Sequence, residues 1–208
     1  GLFRTAIEAD LSNFPAHEGF ILAMKRAKMG PEPPPPAPRP NTPTNRHGVA
    51  VWAAPKTRPI PVGGGDAAAE LVAAYTTWLQ LHPNAAVLHW GLGYVQLGSN
   101  RTVAKAELQR AVELDAKFSP AYRALAYLAQ QAHEVDAQAT LLKQAYAADP
   151  LDDDAAIESA EVIAEADRPA RLWTVANRSP KTPAAYTALI KLVKAQPGKL
   201  NYLMPGTG

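Results

Sequence analysis

The 208-residue chain contains no cysteine, which removes disulfides, thiolate metal sites and a thiol nucleophile together. That absence leaves the compartment open, because cysteine-free chains occur on both sides of a membrane. No apolar run approaches the roughly 20 residues that a spanning helix needs, so no membrane span is expected. Charged residues make up only 19% of the chain, and the formal charge of +2 is too small to argue for nucleic acid or an anionic membrane. The five histidines, His17, His47, His82, His89 and His133, form no helical pair at three or four residues and no metal-like cluster. No serine lies in a Gly-x-Ser-x-Gly turn. Gly63-Gly64-Gly65 lacks both the Walker lysine and the dinucleotide spacing. No catalytic residue, cofactor or metal site is expected, and an enzyme is the last function class the sequence suggests.

Proline is the residue in excess. Eleven of the chain's 20 prolines fall between Pro31 and Pro61, so the surplus is local. Residues 30–65 can join neither a helix interior nor a central strand, because proline fixes φ and removes a donor. Polyproline II at about 3.1 Å per residue is the expectation. The segment reads as a stiff linker or as an arm lying along a partner. Val49, Val51 and Trp52 favour the arm, since a plain spacer has no use for a tryptophan beside two valines. Charge is also uneven. Residues 1–65 carry eight Lys/Arg against four Asp/Glu (+4), and residues 66–208 carry thirteen against fifteen (−2).

Before the arm, residues 1–29 form a short helical N-terminal segment, with two helices divided by Pro15. Leu2, Phe3, Ile7 and Leu11 share a face of the first; Phe20, Ile21 and Met24 do so in the second. Residues 20–29, with Lys25, Arg26 and Lys28, form a basic stretch that can make peripheral contact with a lipid surface. An ordinary surface helix is the simpler account. The chain begins at Gly1 rather than Met, as an exported protein without its signal peptide would, or a fragment; both readings stay open.

From Asp66 to residue 197 the pattern is helical, followed by a tail over 198–208. Asp66 and Asn84 are candidate helix caps, and Ser119-Pro120 and Thr182-Pro183 are cap-then-proline starts. Asp152, Asp153 and Asp154 crowd the start of a helix running to about Ala166. They lack the alternating ligand spacing of a calcium loop, so helix-dipole complementarity explains them. Glu158, Glu161 and Glu165 share a face of that helix and read as a solvated acidic face. His82 and His89 straddle a helix start and read as packing or capping residues.

A repeat underlies this text. Ala111-Val112-Glu113-Leu114-Asp115 recurs 34 residues later as Ala145-Tyr146-Ala147-Ala148-Asp149, with Pro150 where Ala116 stood. A period near 34 marks stacked helical hairpins, each too small to bury its own apolar face. Val87 through Tyr94, Gly98, Ala104, Leu108 and Ala111 resemble a tetratricopeptide repeat (TPR). Gly91 stands at the small position and Tyr94 is the aromatic three residues on. The second copy reads Tyr122, Leu125, Ala126, Ala129, Ala137, Leu142, Ala145 and Pro150, so the two better copies cover about 85–150. The first has one extra residue in the turn at 99–103. Flanking copies are degenerate, and Pro169 is expected to cut into a helix of the third.

The resemblance implies an all-α fold, a TPR-like α-solenoid of stacked antiparallel helical hairpins. Its concave groove would present Leu88, Leu92, Val95 and Gln96 from one copy and Arg123, Tyr127, Gln130 and Gln131 from the next. Tyrosine and arginine are the expected anchors for a helix or extended peptide. Relatives that grip a C-terminal carboxylate use several lysines and asparagines, whereas Arg123 stands alone, which argues against that role. The groove residues can equally pack on neighbouring helices, or the chain's own N-terminal arm can fill the groove. The leading expectation is a non-catalytic scaffold subunit of a larger assembly, with the stack on one protein partner and the arm on another. A peptide-binding adaptor or assembly factor, and a self-associating oligomer or filament subunit, are the alternatives.

Overall fold

A computed structural model describes residues 2–29, 66–178 and 182–195. Val49, Val51 and Trp52, the rest of the proline-rich segment and the tail beyond 197 lie outside the described residues. Among the described residues there are ten helices and no strand. They are α1 (Leu2–Ala9), α2 (Phe14–Met29), α3 (Asp66–Leu81), α4 (Ala86–Gln96) and α5 (Arg101–Leu114). Then come α6 (Ser119–Gln131), α7 (Val135–Ala148), α8 (Asp153–Ser159), α9 (Arg168–Arg178) and α10 (Pro183–Ala195).

Local chemistry sets several of the ends. Asn100 caps α5, its side chain accepting from Val103 N at 3.2 Å, and Asp152 caps α8 by accepting from Ala155 N at 3.0 Å. Thr182 Oγ1 accepts from Ala185 N at 3.1 Å, as its place before Pro183 implies. Three expected caps differ. Asp66 is itself the first helical residue of α3. Ala85, not Asn84, precedes α4, with no side-chain cap. Ser119 is already helical, so its hydroxyl is free to donate to Asp152 Oδ2 at 2.7 Å, 33 residues on. Pro169 does not interrupt a helix; it occupies the first turn of α9, where a missing N–H costs nothing. The helix expected to reach Ala166 ends instead at Ser159, and turns carry the chain to α9. Glu161 and Glu165 therefore share no helix with Glu158.

Each helix packs on its successor, and alternate helices also meet: α2 on α4, α4 on α6, and α6 on α8. That order is consistent with a helical repeat, because every pair buries its apolar face against the next. Four residues join α4 to α5 and three join α6 to α7, which accounts for the extra residue read in the first copy. Ala104, Leu108 and Ala111 are fully buried, as are Leu142 and Ala145 of the second copy or nearly so. Ala137 is exposed. The 34-residue step from Ala104 lands on Gln138, so the expected small position was one residue out of register.

Two glycines let α4 sit between its neighbours. A Cβ on Gly91 would lie 2.1 Å from the Tyr75 ring of α3, and one on Gly93 would lie 2.8 Å from Leu108 Cγ of α5. Any side chain would push one helix away, so glycine here permits close approach.

Two hydrophobic cores result. The larger joins α1 through α6 and includes Ile7, Ile21, Leu71, Tyr75, Trp78, Leu88, Trp90, Val95 and Leu108. The smaller joins α8, α9 and α10 through Ile157, Leu172, Val175, Ala188 and Leu192. Residues 1–29, set apart by the sequence pattern, thus share the interior of α3–α6.

Candidate interaction surface

The residues expected to line a groove separate into three fates. Leu88 and Val95 are fully buried and Leu92 nearly so, all within the larger core. They fill the chain's own interior and offer nothing to a partner. Gln96, Tyr127 and Gln130 are half-buried, and Gln131 is exposed; these four still reach the surface. Arg123 meets a third fate, because carboxylates of α8 and of its cap pair with it.

Arg123 projects from the second turn of α6 towards α8. Its Nε donates to Glu158 Oε2 at 3.1 Å, and its Nη2 to Glu158 Oε1 at 3.1 Å and Asp154 Oδ2 at 3.0 Å. Nη1 lies 3.7 Å from Asp152 Oδ2. The forked guanidinium matches this paired geometry in a way lysine could not. Burial works against its charge, but Glu158, Asp152 and Asp154 outweigh burial and hold its pKa above the ordinary value. Burial raises the Glu158 carboxyl, and Arg123 only partly offsets that. Glu18 of α2 feels the same guanidinium electrostatically, without an ion pair to it. Solvent reaches it, yet the surrounding mass of protein raises its pKa, Arg123 opposing and Asp154 and Asp152 adding. One guanidinium facing three carboxylates is no anion receptor and no free peptide anchor.

A second ionic clamp lies nearby. Arg178 of α9 donates from Nε to Asp153 Oδ1 at 3.1 Å and from Nη1 to Pro150 O at 2.9 Å. The aspartate triplet therefore does two things: it fronts the positive end of α8, and it holds α6 and α9 to that end. Glu161 is paired with Lys191 of α10.

His89 sits where the sequence places it, at a helix start, with Nε2 2.9 Å from Pro83 O and Nδ1 2.6 Å from Glu107 Oε2. It ties α4 to the preceding turn and to α5. His17 is the histidine that sequence reading leaves without a role. It is fully buried in the larger core, with Nε2 3.0 Å from Leu11 O and Nδ1 3.1 Å from the Tyr75 hydroxyl. Only the tertiary fold brings Tyr75 to it, 58 residues away, so no local pattern marks it.

Three exposed apolar residues share a face of α10. Tyr186, Ile190 and Val193, spaced i, i+4, i+7, are 54%, 40% and 41% exposed, whereas Ala188 and Leu192 face the smaller core. The last helix is apolar on two sides, and a neighbour covers one of them. Among the described residues no helix is long and apolar enough to cross a membrane, and no group of three or more His, Asp or Glu could hold a metal ion. No family model matches the chain, and no curated protein or solved structure is significantly similar to it.

Proposed function

We propose that the chain is a non-catalytic scaffold built as a TPR-like helical stack, a subunit of a larger protein assembly. The observation that carries this reading is the packing order, in which each helix pair leans on the next and alternate helices meet along one side. Such a stack displays its surfaces in a line and suits the docking of other polypeptides. The open apolar side of α10 is one surface a partner could cover. The proline-rich segment, with Val49, Val51 and Trp52, is a second contact that would drape over another subunit.

The scaffold reading fits better than the adaptor reading for a physical reason. An adaptor needs groove anchors, yet Arg123 is neutralised within the chain and Leu88, Leu92 and Val95 are interior. Deleting residues 30–62 from the full chain, with α1–α2 kept, tests the arm. Co-purified subunits, quantified by mass spectrometry, should drop out. Undiminished recovery would remove the arm from the proposal. Tyr127→Ala with Gln131→Ala should leave recovery intact, whereas its loss would favour the adaptor.

A further inference from the structure

We infer that the α1–α2 hairpin is a proton-released clasp: it covers an aromatic seat on α3 and α4, and it comes away when the buried His17 takes up a proton.

The seat is specific in shape. Phe14 of α2 lies 4.8 Å from the Trp90 ring and 5.6 Å from Phe118. Phe20 lies 5.7 Å from Trp78, and His17 stacks on Tyr75 at 5.7 Å with its edge towards Trp78 at 6.3 Å. These rings hold the hairpin by contact and offer no counter-charge.

His17 is built into that contact in its neutral form. The Leu11 carbonyl can only accept, so Nε2 carries the proton and donates to it. Nδ1 is then the acceptor for the Tyr75 hydroxyl. A second proton would enter at Nδ1, would turn the Tyr75 hydroxyl from donor to acceptor, and would leave a buried cation with no carboxylate against it. Among the described residues, His17 is the one fully buried side chain that titrates between acid and neutral pH.

The groups around it do not rescue the charge. On α3 the neighbour is Tyr75, whose phenol burial keeps neutral. In the turn between α1 and α2, Asp10 favours the charged ring, but its carboxylate already accepts from Ser12 N at 2.9 Å and Ser12 Oγ at 2.7 Å. On α1, Glu8 pairs with Arg4. On α2, Glu18 answers to Arg123, Asp154 and Asp152. From α4 the side chain meeting this end of α2 is Trp90.

Burial lowers the His17 pKa below its ordinary 6.5, with the Leu11 carbonyl and Asp10 opposing. The sign follows. A released ring binds a proton at the ordinary value and a docked one only at lower pH, so docking is at full strength above that value and weakens as pH falls below it. Glu18 acts in the other direction, since its carboxyl is raised by burial and acid removes its charge.

Connectivity makes release local. Residues 30–65, 36 in number, separate α2 from α3, while no other described connection exceeds the eight residues between α8 and α9. The hairpin can leave without pulling α3 through α7 out of register.

Hydrogen exchange on the full chain at about pH 7.5 and about pH 5, corrected for intrinsic rates, tests the clasp. Protection of residues 2–29 should fall roughly tenfold or more in acid, while that of residues 119–148 holds. His17→Gln, which keeps a donor and an acceptor but cannot titrate, should abolish the acid effect. Asp10→Asn, an exposed change, removes a carboxylate that favours the charged docked ring and should deepen the acid loss without moving its onset. Equal protection at both pH values, an acid loss that survives in His17→Gln, or a loss shared by 119–148 would each overturn the clasp.

Discussion

Tyr75, Trp78 and Trp90 stand in the interior of α1–α6 beside Leu71, Leu88 and Leu108, whereas the interior of α8–α10 is Ile157, Leu172, Val175, Leu192 and four alanines. The first region fills space with rings as well as aliphatic side chains, whereas the buried residues of the second are aliphatic throughout. Arg123 and its carboxylates bridge the boundary from α6 to α8, and Tyr146 of α7, with Arg171 4.0 Å above its ring, packs on the smaller core. The difference teaches that neighbouring layers of one stack can be held by unlike forces. Large rings stabilise by area, small residues by close approach, and the boundary between them by ionic hydrogen bonds.

The sharpest way to break this comparison is to empty each core in turn. Trp90→Ala should cost about 3–5 kcal/mol, and Leu192→Ala about 3 kcal/mol, confined to α8–α10. Calorimetry should show the second variant splitting off an early transition while the main one stays. A single transition lowered equally by both changes would mean that the regions fold as one.

Arg123→Met probes the boundary. It strands Glu158, Asp154 and Asp152 without their cation and should cost about 3 kcal/mol in urea unfolding. The doubly exchanged Arg123→Met, Glu158→Leu chain should recover much of that loss, since a packed apolar pair replaces the ionic one. Gly91→Ala should cost about 2 kcal/mol by forcing α4 off Tyr75, with the loss falling on the α1–α6 region alone. The smallest effect is a gain. His133 ends α6 at φ 61°, with Glu134 N bonded to Ala129 O and His133 N to Gln130 O, the pairing of a Schellman turn. His133→Gly relieves that backbone and should stabilise by about 0.5–1 kcal/mol, read as a raised Tm.

The helices with strong period and clean ends were legible. Val135–Ala148 follows directly from its apolar spacing, and Ala104, Leu108 and Ala111 are interior because they recur on one face. What stayed hidden depends on distant partners. Glu158 lies 35 residues from Arg123, one repeat onward, so shifting the sequence by its own period would have set them side by side. Without that shift, Arg123 looks like a free anchor and Glu158 like part of a solvated face. The shortened α8 has a similar cause: its spacing suits a longer helix, but Pro169 must sit in a first turn, and the chain stops early to place it there. No pattern could join residues 1–29 to the core, because 36 residues of proline-rich sequence intervene.

That connection begins at the end of α2 and returns at the start of α3, and both helices belong to one interior. It is therefore fastened at two points, unlike a free tail. A protease cutting it anywhere would produce two polypeptides that still co-migrate under native conditions and separate only in denaturant. Anything threaded through it would be held by topology as well as by affinity.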